Sequence, residues 1–299
     1  MNVVIKVNDE IKKKMIAYYQ DKKRDKVIPY VVLQADDLDT VVTIYESGKV
    51  MFQGKSADVD AAMWQEMAGI SAKPKEDERI YYYTNAVGSD EVGTGDYFGP
   101  IVVTAAYVTK DDIPFLESLG IRDSKKINDD IILKVAPQIA KKIPYRSIIL
   151  TNTEYNEKYS QELNMNKIKA IMHNKVLYTL VNDLRPECDY IIVDEFAKEK
   201  RYYEYIKDTK YIQRGITFIT KAEDKNLAVA CGSVISRYIF LKEFDKLCDS
   251  VGLPLPKGAG AEVDRIGEEL VEKYGEDKLK EVAKLNFKNT TRILKTMLF

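Results

Sequence analysis

The chain has 299 residues, 45% of them hydrophobic and 31% charged, with a formal net charge of -1, a length that suits one large core and one small one. No apolar run reaches the roughly 18 residues of a membrane span, and the opening MNVVIKVNDEIKKK lacks the apolar stretch of a signal peptide, so a cytoplasmic protein without membrane contact is expected. Cys188, Cys231 and Cys248 form no C-x-x-C pair, which argues against a disulfide framework, and His173 as the sole histidine argues against multi-histidine metal centres and Ser-His-Asp triads.

Taken in chain order, the apolar pattern predicts a strand over 3–7, a helix over 9–20, strands near 29–34, 40–46 and 49–53, and a helix over 56–69. Ser47-Gly48 is the turn of a hairpin, and the whole makes a small antiparallel α+β domain over 1–70. Tyr45 and Phe52 on that hairpin read as core packing rather than as nucleic-acid contacts. Residues 10–26 hold seven Lys/Arg against three Asp/Glu, an excess that alone does not separate a polyanion contact from a solvated helix face. The segment SAKPKEDER at 71–79 combines a proline with dense charge and no apolar period, so a linker is placed there and a second domain over 80–299.

That domain opens with GSDEVGTGDYFGP at 88–100, which reads as a glycine-rich turn leading into a strand over 101–107. Successive side chains of a regular strand face opposite ways, so Asp90 and Glu91 could share one ion only where the strand bends or ends. Gly93 and Gly95 supply such a bend and let a phosphate or ribose approach the backbone, whereas the nucleotide-binding pattern G-x-G-x-x-G is not matched. Further strands over 147–151, 190–193 and 216–220 alternate with helical patterns, the clearest over 168–184, and imply a layered α/β domain. Asn166, Lys169 and His173 share one helical face by their spacing, which suits substrate backbone or plain solvent. Asp194 ends an apolar strand, where open α/β sheets place ligand sites. Glu223 and Asp224 precede an apolar helix over 227–241, a position the helix dipole favours without any function. The final stretch, 278–299, holds six Lys/Arg against one Glu.

Acids at three separate strand ends or helix starts suit phosphodiester hydrolysis. The reaction needs an activated water on one side of phosphorus and a stabilised leaving oxygen on the other, and two divalent ions roughly 4 Å apart serve both needs. Ligands that are all oxygen favour Mg2+ or Mn2+.

The run DEVGTGDYFGP, with DSKK at 123–126, NMNKIKAIMHN at 164–174, VDEF at 193–196, KAED at 221–224 and LPKGAG at 255–260, resembles the ribonuclease HIII branch of the ribonuclease HII/HIII family, motif by motif and in the family's order. The first domain, including YESGKVMFQG at 45–54, resembles the family's N-terminal domain, which is similar to the TATA-binding protein fold. The resemblance implies an α/β fold with a ribonuclease H-like mixed sheet flanked by helices. It also implies an endonuclease that cuts the RNA strand of RNA–DNA hybrids with divalent metal and leaves 5′-phosphate and 3′-hydroxyl ends. Asp90, Glu91 and Asp194 match the first three catalytic, metal-binding acids. The fourth falls in KAED, where the family has Glu, so Glu223 is assigned, with Asp224 as the neighbouring alternative. Substrate contacts are expected from Gly93, Thr94 and Gly95 at the ribose, from Ser124, Lys125 and Lys126 at phosphate, and from Asn166 and His173. Ribonuclease HII carries a basic residue between its two glycines, and Thr94 in that place favours HIII. The expected partner is the hybrid duplex, held by a monomer whose first domain adds affinity. The rival readings are a ribonuclease HII-like enzyme and a hybrid-binding module without catalysis.

Overall fold

The alternating apolar residues at the N-terminus build an antiparallel sheet of β1 (Asn2–Lys6), β2 (Val31–Asp37), β3 (Thr40–Tyr45) and β4 (Lys49–Gly54), in the order β1-β4-β3-β2. Its inward residues Val42, Ile44, Val50 and Phe52 pack with Met15, Tyr19 and Trp64 from α1 (Asp9–Tyr19) and α2 (Ala57–Met67). The Trp64 indole donates to Tyr19 Oη at 2.8 Å, so two large buried rings satisfy each other's polar atoms. Asn8 starts α1 by accepting from Ile11 N at 2.9 Å. Phe52 belongs to this core, and Tyr45 is half-buried.

This computed structural model describes residues 2–26, 28–68, 80–121 and 127–296, and divides into two compact units, 1–77 and 78–299. The linker expected at 71–79 lies outside the described residues.

The second unit is built on β5 (Ala86–Val92), β6 (Ile101–Val108), β7 (Tyr145–Leu150), β8 (Tyr190–Asp194) and β9 (Ile216–Ile219), in the order β7-β6-β5-β8-β9. The β5, β6 and β7 neighbours are antiparallel, while β5-β8 and β8-β9 are parallel, so the sheet is mixed as expected. On one face α8 (Leu227–Val251) lies against β5 and β6 with α4 (Asp129–Lys142) packed on it, and α3 (Ile113–Ser118), α9 (Ala261–Tyr274), α10 (Asp277–Val282) and α11 (Lys288–Thr296) join the same core. The other is covered by α5 (Asn152–Lys158), α6 (Met165–Leu184) and α7 (Glu199–Ile206). Among the described residues no helix is long and apolar enough to cross a membrane.

Asn226 starts α8 by accepting from Ala228 N at 2.9 Å and Val229 N at 3.2 Å. The helix then lies directly on β5, because a Cβ at Gly88 would stand 2.4 Å from Val229 N. Backbone-to-backbone packing of this kind fixes the strand that carries Asp90 against the helix that follows Glu223.

The apolar pattern places no strand between the linker and residue 101. Residues 86–92 form a regular central strand, and the turn begins only at Gly93. The strand is hidden in the sequence because GSDE shows no apolar alternation. Gly88 is small to admit α8, and Ser89 is polar to meet His173 on the opposite face.

Candidate active site

The strand pleat sorts the acids. Asp90 points towards α8, where the Ser233 hydroxyl donates to it, and Glu91 points towards α6. Parallel pairing matches Ser89 with Val193, so one step further Asp90 and Asp194 stand side by side on adjacent strand ends and face the same way. Asp194 Oδ1 accepts from Ala222 N at 3.1 Å, which ties β8 to the single 3-10 turn Ala222–Asp224. Lys221, in the left-handed region at φ 55°, turns the chain into that short helix. Glu223 is half-buried there and Asp224 is exposed.

Loss of water around the Asp90 carboxyl, and after it the charge of Glu91, push its pKa well above the usual carboxylate range, with Glu223 adding to the rise. Glu223 is thus close enough for its charge to be felt at Asp90. Burial acts to raise Glu91 as well, but the His173 hydrogen bond and the charges of His173 and Lys169 outweigh it and hold Glu91 low. Carboxylates gathered at one end of the sheet suit a hard divalent cation, which would relieve the repulsion between them. Among the described residues no three Asp, Glu, His or Cys side chains yet stand close enough to hold an ion. Glu91 is already paired. One oxygen pairs with Lys169 and the other accepts from His173 Nε2 at 2.8 Å.

His173 corrects a second expectation. It has no exposed surface, its Nδ1 meets Ser89 Oγ at 2.8 Å, and its ring stacks on Phe196 with centroids 5.4 Å apart. A ring held on three sides positions Glu91, and its burial rules out the solvent-facing side that helical spacing also allowed. Its helical face turns inward because Ser89 and Glu91, two residues apart on β5, present matching polar atoms. Asn166, two turns earlier on α6, is exposed. Ser124, Lys125 and Lys126 lie outside the described residues.

The turn after β5 is held in place from two distant segments. Gly93 has φ 96°, and a Cβ there would stand 2.1 Å from Pro100 O, so no other residue fits. Gly95 is exposed, and a Cβ on it would meet nothing within 4 Å, which leaves its backbone open to a ligand; Thr94 between them is half-buried. From the LPKGAG segment, Gly258 N donates to Asp96 Oδ1 at 2.6 Å and Gly258 O accepts from Tyr97 N at 2.8 Å. From the C-terminal region, the fully buried Lys284 donates its ammonium protons to the carbonyls of Asp96 and Gly99.

Burial pushes the Lys284 pKa down to about 7. The basic stretch 278–299 therefore does not offer all its charges to a polyanion. Lys284 is locked inside, and Arg292 forms a two-toothed pair with Asp264. Lys284→Ala should lower stability by about 3 kcal/mol, since it opens a cavity and orphans two carbonyls. Urea unfolding checks this, and an unchanged midpoint would show that the turn does not depend on the lysine.

Comparison with known proteins adds the family. A family profile described as "Ribonuclease HII" matches residues 87–290, and one described as "Domain of unknown function (DUF3378)" matches 2–77. The chain is 38% identical to ribonuclease HIII of Bacillus cereus, and equally to that of Bacillus anthracis, over 99% of each chain. It belongs to the ribonuclease HIII family. The crystal structure of Bst-RNase HIII in complex with Mn2+ matches it with a TM-score of 0.72 at 38% identity, covering 99% of each chain. Ribonuclease H2 from Pyrococcus horikoshii, at 24% identity and a TM-score of 0.59, covers 72% of this chain and shares the fold.

Sequence reasoning within this ribonuclease H missed Ser233, Ser89, Phe196 and Lys284. Ser233 and Ser89 carry no local signal, because their partners come from other elements. Lys284 had one, since its neighbours in VAKLNF are apolar on both sides.

Proposed function

We propose that this ribonuclease H hydrolyses the RNA strand of RNA–DNA hybrids through Asp90, Glu91, Asp194 and Glu223, leaving 5′-phosphate and 3′-hydroxyl ends. The observation that supports the site assignment is that Asp90 and Asp194 stand on adjacent strand ends facing the α8 side, with Glu223 near enough for its charge to act on Asp90. Asp90, Asp194 and Glu223 would hold Mg2+ or Mn2+ on this face, and Glu91 would join from the end of β5. Divalent cations bound there supply the Lewis acidity that activates water and stabilises the leaving oxygen.

The chain's own residues do the rest. His173 fixes Glu91 through one nitrogen and is itself fixed by Ser89 through the other. The open backbone at Gly93–Gly95 meets the 2′-hydroxyls that distinguish RNA from DNA. Ser124, Lys125 and Lys126 take a phosphate, and Asn166 contacts the substrate backbone. The N-terminal unit adds affinity for the duplex, and the protein works as a monomer. The free thiols Cys188, Cys231 and Cys248 fit a reducing cytoplasm.

The test is cleavage of labelled duplexes of one sequence in Mg2+. The RNA strand of the hybrid should be cut, and RNA–RNA and DNA–DNA duplexes should stay intact. Equal cutting of the RNA duplex would remove the hybrid from the proposal.

A further inference from the structure

Glu91 has two partners of very different mobility. His173 is buried, bonded through both ring nitrogens and stacked on Phe196. Lys169 reaches Glu91 from one turn earlier on α6, on a long stem, and both side chains of the pair are 12% exposed. Besides Glu91, its ammonium rests on the Phe196 ring, 4.1 Å from the centroid. Phe196 in turn belongs to the turn that leaves β8, where its N–H donates to Asp194 O at 2.8 Å. The ammonium therefore lies between the strand end bearing Glu91 and the turn that follows Asp194.

From this placement we infer that Lys169 is the resident counter-ion of Glu91, and that its displacement sets the affinity of the site for divalent cations. The inference rests on the four-acid reading. A dication that uses Glu91 competes with the ammonium for the same carboxylate, and a lysine left beside it repels it. His173 holds the far oxygen throughout, so Glu91 stays aimed while Lys169 swings away along the face of Phe196. The lysine keeps a buried carboxylate paired when no metal is bound, and in return weakens metal binding. Lys169 is a positioning residue in this sense and takes no part in bond making.

The test is calorimetric titration of the full-length protein with MnCl2 in the absence of nucleic acid. Lys169→Met should bind Mn2+ about tenfold more tightly than the wild type, ~1.4 kcal/mol, and Lys169→Arg should bind as the wild type does. In EDTA, Lys169→Met should melt at a lower temperature, because Glu91 is left without its cation. A lysine with only a structural role would lower melting without tightening Mn2+, and that result overturns the inference. Lys169→Gln, which is polar and uncharged, carries the same expectation and replaces the methionine variant if that one does not fold. Glu91→Gln separates the two claims. If it weakens Mn2+ binding while neither neutral variant of Lys169 tightens it, the four-acid reading stands and the counter-ion role falls. If Glu91→Gln titrates as the wild type, Glu91 is no ligand and both fall.

Discussion

Asp194→Asn should lower kcat/KM on an RNA–DNA hybrid by about a thousandfold or more, ~4 kcal/mol of lost transition-state stabilisation, in a protein that folds normally. The substitution keeps an oxygen where Asp194 Oδ1 now accepts from Ala222 N, so the link between β8 and the turn carrying Glu223 survives. What it removes is the ligand charge. Asp90→Asn and Glu91→Gln should be equally inactive for the same reason. They should differ in stability, because the Asp90 carboxyl is partly buried beside the charges of Glu91 and Glu223, and a neutral amide there relieves repulsion. Asp90→Asn should therefore melt at or above the wild-type temperature. Glu91→Gln strips Lys169 and His173 of their anion and should melt below it. Near-wild-type turnover by Asp194→Asn in Mg2+ would remove Asp194 from the site.

The second large effect concerns substrate length. A duplex with four consecutive ribonucleotides should be cleaved at least about a hundredfold more efficiently than the same duplex with one, because recognition is spread over several 2′-hydroxyls along the minor groove. The residue between Gly93 and Gly95 is the half-buried, uncharged Thr94, where the ribonuclease HII pattern has a cation able to reach a junction phosphate. The turn is also held by Gly258 and Lys284, so it is not free to reshape itself around a single ribose. Comparison of kcat/KM in Mg2+ for the two duplexes checks this. Equal efficiency would point to ribonuclease HII-like specificity instead.

Much of this was legible in the sequence where periodicity is strong. The helix expected over 168–184 is α6 with one added N-terminal turn, started by Asn164, and the hairpin strands near 40–46 and 49–53 are β3 and β4. The helix expected over 227–241 runs on to Val251, since its later half is apolar on one side only. The site was legible as a set of acids but not as an arrangement. Asp90 and Glu91 are adjacent in sequence and face opposite layers, a fact that depends on residues 86–92 being a strand. That strand has no pattern of its own, because Gly88, Ser89, Asp90 and Glu91 are chosen by α8, His173 and the site. His173 looked like a surface residue by helical spacing alone, and only the packing of α6 on β5 shows which way its face turns. Lys284 counted as surface charge because composition does not reveal that a lysine is surrounded by carbonyls.

The most direct measurement is the chemistry of the ends left on the RNA strand of a hybrid, in Mg2+ and in EDTA. Hydrolysis at a four-acid metal site predicts 5′-phosphate and 3′-hydroxyl ends in Mg2+ and no product in EDTA. Product formed in EDTA, or 5′-hydroxyl ends paired with 2′,3′-cyclic phosphates, would contradict it, because those ends arise when the ribose's own hydroxyl attacks phosphorus and no activated water is needed.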